Sequence, residues 1–384
     1  MEITGISAES LLWISILFVL YTYTGYPFLL KLLSLFRPCA VTMGGEAIFS
    51  VSIVIAAFNE EKNIDRRLAN ILLQRYPQEL LEIIVVSDGS SDATCNKLRA
   101  CSHSNVRLVE LERRSGKASA INAGIAEARG KIIVFTDARQ EFEPDAISRL
   151  IANFNDPGVG CVSGELHFFQ ESGSTIRKEM GAYWKYEKWV RKMESSSGSV
   201  VGATGAIYAI RRELFEPLPV GTILDDVLIP LAIVQKGYRT VFEGAAAAFD
   251  SVSTDVGKEW QRKVRTLAGN WQLLTLNPDL CLPWRNRNWW RFISHKIMRL
   301  LVPFALISLF ICSMVQSGWQ YRVVTALQAL CYVLALIGLC LPVSRGIRLI
   351  NFCYFFLVMN AAAVAGLWIF LTGQCTTVWK SKVA

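Results

Sequence analysis

Several charged or polar groups stand where an apolar run stops. KIIVFTD ends in Asp137, with Arg139 two residues on. LEIIVVSD ends in Asp88, and VSIVIAAF, which closes on Phe58, leads into Asn59-Glu60-Glu61. Lys117 follows a glycine turn after VRLVEL, and the pair Asp225-Asp226 precedes the apolar stretch VLIPLAIVQ. A carboxylate accepts hydrogen bonds from N–H and hydroxyl donors. It also suits hard divalent cations, which prefer oxygen ligands. Any one of these residues could merely cap a helix or shape a turn. Four such endings on a single edge are harder to assign to capping alone.

The elements that would bring them to one edge are legible. Strand candidates at 51–58, 81–88, 106–111 and 131–137 alternate with helical patterns such as NEEKNIDRRLANILLQ and KASAINAGIAEARG. Their Ile/Val runs are continuous, as in strands covered on both faces. Strand–helix alternation predicts an α/β fold with a doubly wound, mostly parallel sheet. Ligands bind such sheets outside the carboxyl ends of the strands.

Composition sets the surroundings. Of 384 residues 52% are hydrophobic and 19% charged, and the apolar excess lies at the two ends. Stretches at 11–30, 297–315, 323–342 and 350–371 are each about long enough to cross a bilayer. The first lacks a basic start and a small-residue cleavage site, so it reads as a retained anchor. The expected organisation is an anchor and linker over 1–45, a globular domain over 46–290 with interfacial helices, and three spans over 291–384. Lys31, Arg37, Arg285, Arg287, Arg291, Lys296, Arg299, Arg345 and Arg348 flank the spans on one side, which predicts a cytoplasmic domain in the plasma (inner) membrane. Lys380 and Lys382 point weakly the other way. The net charge of +8 fits anionic headgroups rather than nucleic acid. Ten cysteines without a C-x-x-C pair, and three histidines, argue against zinc.

AAFNEE, VVSDGSSD, GKASAINAG, FTDAR, GATGAIYAIRRELF, ILDDVLIP and QRKVR occur in this order across roughly residues 50–275. In this the sequence resembles the family-2 glycosyltransferases of GT-A fold, and more narrowly their membrane-embedded branch of cellulose, hyaluronan and poly-N-acetylglucosamine synthases. The resemblance implies that Phe58, Asn59, Glu60 and Asp88 hold the nucleoside of a UDP-sugar, with Lys117 at the base or a phosphate. It implies Asp137 as a ligand of Mg²⁺ or Mn²⁺ bridging the diphosphate, Asp226 as general base, and Asp225 as its orienting neighbour. Arg262 and Arg265 would meet the diphosphate. Gly202, Thr204, Gly205 and Trp271 would face the acceptor. The alternatives are helix capping by the acid pair and tight packing at the glycines.

Two positions depart from that pattern. Arg139 stands where the family's D-x-D motif has its second acid; it either assists at the phosphates or pairs with Glu141 or Glu143. Aligning Arg265 with the arginine of Q-x-x-R-W puts Arg262 at the glutamine and Thr266 at the acceptor-stacking tryptophan. Trp271, or Tyr183-Trp184-Tyr186-Trp189, could substitute, and those aromatics could equally anchor the domain at the membrane. Three functions follow as expectations. The first is inverting transfer from a UDP-sugar to a growing glycan, with export partners. The second is single-sugar transfer to a polyprenyl phosphate or other lipid acceptor. The third is a catalytically silent glycan-binding scaffold.

Overall fold

In β1 (Val51–Ala57) all seven residues are buried, and its side chains divide between two apolar layers. Ile53 and Ile55 point to one face of the sheet, Val54 and Ala56 to the other, as the two-residue period of a strand dictates. The computed structural model describes residues 7–42, 48–168, 175–250 and 256–374. Lys380 and Lys382 lie outside them.

β2 (Leu81–Asp88), β3 (Val106–Leu111) and β4 (Ile132–Asp137) join β1 in parallel, in the spatial order β3-β2-β1-β4. This is the predicted doubly wound half. The sheet then continues through four more strands. β7 (Tyr208–Arg211) runs antiparallel to β4, and β6 (Val159–Phe168) antiparallel to β7. β8 (Arg239–Asp250) lies parallel to β6, and the two-residue β5 (Glu141–Phe142) closes the edge. Helix Lys117–Glu127 packs on one face through Ala118, Ile121 and Ile125. Helices Ile64–Leu72 and Ala146–Ala152 cover the other.

Four helices are long and apolar enough to cross a membrane: Ala8–Phe36, Trp289–Val315, Trp319–Cys340 and Arg348–Leu371. The first and second begin or end beyond the apolar stretches expected from sequence, and each contains one π turn, at Tyr21–Gly25 and Ile293–Ile297.

Polar contacts tie these helices to the domain. His295 lies in the second π turn, and each of its ring nitrogens faces a carboxylate of helix Thr175–Ser196. Nδ1 is 2.7 Å from Glu194, and Nε2 is 3.1 Å from Glu187. Arg299 pairs with Glu187, and the Tyr26 hydroxyl donates to Glu194. Burial alone would raise both carboxyls, but Arg299 and His295 at Glu187, and His295 at Glu194, outweigh it and lower their pKa values. The last span reaches the domain through helix Val256–Leu276. A Cβ on Gly366 would stand 2.9 Å from the backbone nitrogen of Ala268 on that helix.

Candidate active site

Asp88 is buried at the end of β2, and both of its oxygens are engaged. Oδ1 accepts from the Ser115 N–H at 2.6 Å and Oδ2 from the Gly116 N–H at 2.8 Å. Gly116 has φ 92°, a conformation that side chains disfavour, and the helix starting at Lys117 follows directly. Asp88 thus shapes the turn that delivers Lys117.

Lys117 joins three elements. Its Nζ is 3.1 Å from Asp137 at the end of β4 and 3.4 Å from Asp225 at the start of helix Asp225–Gln235. Burial would lower the pKa of the ammonium, but Asp137, Asp225 and Asp226 prevail and raise it. Asp225 is 3% exposed and also accepts from the Tyr208 hydroxyl at 3.3 Å. Tyr208 stacks on Phe135 with ring centroids 4.5 Å apart, so the aromatic pair holds the acid against the sheet.

Asp226 sits beside this pair and points elsewhere, as adjacent helical residues must. Its Oδ2 accepts from the Gly205 N–H at 3.2 Å, and its carbonyl accepts from Ala203 at 2.7 Å. Burial, then the like charge of Asp225, push its carboxyl up to about 6, against the pull of Lys117, Lys296 and Arg191. A Cβ on Gly205 would lie 3.0 Å from that carboxylate. Gly202 instead faces Val227, at 3.1 Å. Thr204 accepts from Arg191 Nη1 at 2.6 Å.

The remaining residues divide clearly. The Phe58 ring lies under the Arg114 guanidinium, 3.8 Å from its centroid. Asn59 adopts φ 55°, and its side chain accepts from the Ser91 N–H at 2.9 Å. Glu60 accepts from Asn63 at 2.6 Å, and burial raises its carboxyl. Arg139 pairs with the buried Asp250 at 3.1 Å, whereas Glu141 takes Arg66 at 3.2 Å. The partner of Arg139 is therefore a residue 111 positions along the chain at the end of β8, not the neighbouring Glu141 or Glu143, because β5 and β8 bring their ends together. Arg262 is exposed and pairs with Glu259 at 2.9 Å, outside the acid cluster. Arg265 and Trp271 each leave one buried nitrogen without a partner, and among the described residues neither forms a hydrogen bond or ion pair with the acids.

The helix that carries these three residues nevertheless braces the cluster. Gln272 accepts from the Ile223 N–H at 3.0 Å and donates to the Gly221 carbonyl at 3.0 Å. A Cβ on Gly269 would meet Leu224 at 2.7 Å, so a glycine is needed for this close approach. The segment 221–224 is thereby fixed directly before Asp225.

Sequence reading missed Arg67. It is 1% exposed, donates to Thr136 Oγ1 at 2.8 Å and to Asn70 at 2.7 Å, and lies over the Phe142 ring. It fixes the residue before Asp137. The available signal was its place on the same helical face as Ile64, Leu68 and Ile71, where an arginine is out of pattern.

Among the described residues no three His, Cys, Asp or Glu side chains converge as a metal-binding group. Asp137 alone, with donor phosphates as further ligands, still fits a magnesium-like site, which commonly uses one or two carboxylates. An open cavity of about 680 Å³ lies at the opposite end of β4, lined by Lys131, Ile132 and Arg211, and has no part in this site.

Residues 52–218 match the family described as glycosyl transferase family 2. The chain carries a glycosyltransferase family 2 domain. Outside that segment the glycosyltransferase likeness extends further. A poly-beta-1,6-N-acetyl-D-glucosamine synthase of Staphylococcus aureus is 26% identical over 229 residues, covering 58% of this chain and 55% of the relative. The Staphylococcus epidermidis protein of that name is 23% identical over 299 residues, covering 76% and 69%. The chain thus spans about half the length of the first of these curated relatives. A mannosyltransferase from Pyrobaculum calidifontis, solved with GDP-Man and Mn²⁺, superposes with a TM-score of 0.73 at 21% identity. That match covers 96% of this chain and 100% of the other, and it shows the GT-A fold with its flanking helices.

Proposed function

We propose that this protein is an inverting membrane glycosyltransferase that moves a sugar from a UDP-sugar to a hydroxyl of a growing glycan. The carrying observation is the cluster Asp137–Lys117–Asp225–Asp226 at the carboxyl ends of the strands, with contacts of 3.1 and 3.4 Å. The names of the relatives, poly-beta-1,6-N-acetyl-D-glucosamine synthases, support a polysaccharide product.

The donor diphosphate lies at Asp137 and Lys117, and the nucleoside runs toward Phe58, Asn59 and Glu60. Mg²⁺ or Mn²⁺ held by Asp137 and the diphosphate would neutralise charge on the leaving group. Lys117 adds a fixed positive charge at the same place. Asp226 takes the proton of the acceptor hydroxyl as that oxygen attacks the anomeric carbon from the face opposite the nucleoside diphosphate. The C–O bond to the diphosphate breaks as the new one forms, which inverts the centre. A carboxyl raised to about 6 suits proton removal, because it is ionised at neutral pH yet more basic than an exposed aspartate. Asp225 keeps Lys117 in place and raises the basicity of its neighbour.

The basic residues flanking the spans support a cytoplasmic position for the domain. A complete chain reconstituted in lipid and offered UDP-sugars with an oligosaccharide should release UDP and yield a product of inverted anomeric configuration by NMR. Asp226→Asn should lower turnover by about 10²–10⁴-fold while UDP still binds. Turnover by this variant near the wild-type rate would remove Asp226 as base. UDP binding without turnover on any acceptor would leave the scaffold reading.

A further inference from the structure

Past the catalytic acid the contacts lead to two cations. From Asp226 the chain of contacts runs through Gly205 and Thr204 to Arg191, separate from the contact that joins Lys117 to Asp137. Arg191 lies on helix Thr175–Ser196 between Glu187 and Glu194, which hold Arg299 and His295. Lys296 follows His295, so the same clasp fixes Lys296 at the start of a membrane helix. Both cations act on the Asp226 carboxyl.

The charges around them are matched. Lys188 and His167 pair with Glu165, and Arg299 with Glu187. Arg191, Lys296 and Arg291 are the exceptions, and Arg291 is held by the Ser197 carbonyl and hydroxyl. Among the described residues Arg191 has only the neutral Thr204 hydroxyl as a hydrogen-bond partner, and Lys296 has no hydrogen bond or ion pair. Both are half-buried. Asp226, and for Lys296 also Glu187, balance these cations only without direct ion pairs, which leaves their N–H groups open to an anion supplied by a ligand. Next to Arg191 a narrow crevice of about 10 Å³ is lined by Trp184, Leu166 and Phe242 together with the paired side chains of Glu165, Glu187 and Lys188.

We infer that Arg191 and Lys296 bind the diphosphate of a lipid-linked sugar whose hydroxyl is presented to Asp226. This rests on the proposed transferase activity and names its acceptor. The donor diphosphate occupies the Asp137–Lys117 end, so the two anionic groups are held by different cations around the base. One sugar ring separates hydroxyl from diphosphate in such an acceptor. Its prenyl tail enters the bilayer beside the span that carries Lys296. A neutral glycan offers these cations nothing. An acidic glycan offers the same charge without the tail.

The test uses the complete protein in nanodiscs with three acceptors: farnesyl-diphospho-N-acetylglucosamine, octyl N-acetylglucosaminide and a soluble uronic-acid oligosaccharide. The first should show a kcat/KM about 10–100-fold above the second, the range expected for charged hydrogen bonds. Arg191→Gln and Lys296→Met should each raise its KM toward that of the octyl compound, leaving the KM for the donor and UDP binding unchanged. Equal use of the first two acceptors overturns the inference and leaves the transferase reading intact. So does a parallel rise in donor KM, which would assign the cations to the donor. Preference for the soluble acidic oligosaccharide replaces the lipid diphosphate with an acidic glycan. Absence of turnover on all three, with UDP bound, sinks the transferase reading itself.

Discussion

The pair Asp225→Asn and Lys117→Met should move the pH dependence of the reaction in opposite directions. A base must be ionised, so kcat/KM for UDP release should rise through an apparent pKa near the value of about 6 at Asp226. The displacement from 3.8 corresponds to about 3 kcal/mol against ionisation. Burial is the larger cause and persists in both variants, and Asp225 is the second. Removing the Asp225 charge should therefore lower the limb by less than burial raises it, on the order of one pH unit. Removing the Lys117 cation should raise it by about as much. The protonated acid is favoured in the folded state, so ionising Asp226 costs stability as pH rises from about 4 to 6, the same window in which activity appears. The assay is initial-rate UDP release from about pH 4.5 to 9, with the limb read as a property of the coupled acids. Limbs that coincide with wild type, or that move the same way in both variants, would refute the electrostatic assignment.

Gly205→Ala should reduce turnover by about tenfold or more, since its new Cβ stands 3.0 Å from the Asp226 carboxylate and displaces it; wild-type kcat in this variant would show the base to be elsewhere. Arg139→Asp restores a second carboxylate after Asp137 and removes the 3.1 Å pair with Asp250. Half-saturation by Mn²⁺, measured from UDP release, should fall by about tenfold, or 1.4 kcal/mol. An unchanged metal response would mean that residue 139 does not face the diphosphate.

Much of the parallel half of the sheet could be read directly because its strands are continuous Val and Ile runs punctuated by polar ends. The other half could not. β8 contains GAAAAF, whose alanines favour a helix locally. Its strand form follows from pairing along β6, a tertiary contact that overrides propensity. The acids near the site were visible as interruptions in apolar patterns, and their partners were not. Asp88 looked like a ligand-facing carboxylate but spends both oxygens on the turn at 115–116. Arg139 looked as if it would pair locally, yet its partner arrives from β8. Arg191 sits in an amphipathic helix among other charges. Only the pairing of its neighbours, among the described residues, leaves it without an ion pair of its own.

The two glycine contacts at either side of helix Val256–Leu276 give the bilayer a mechanical path to the chemistry. Gly366 seats the final span on Ala268, and one residue later Gly269 seats the helix on Leu224, next to the acids. A tilt of the last span would reach residues 221–224 through these contacts and the Gln272 hydrogen bonds, without passing through the eight-stranded sheet. Close packing carries the first part of that path, and the hydrogen bonds of one glutamine carry the last.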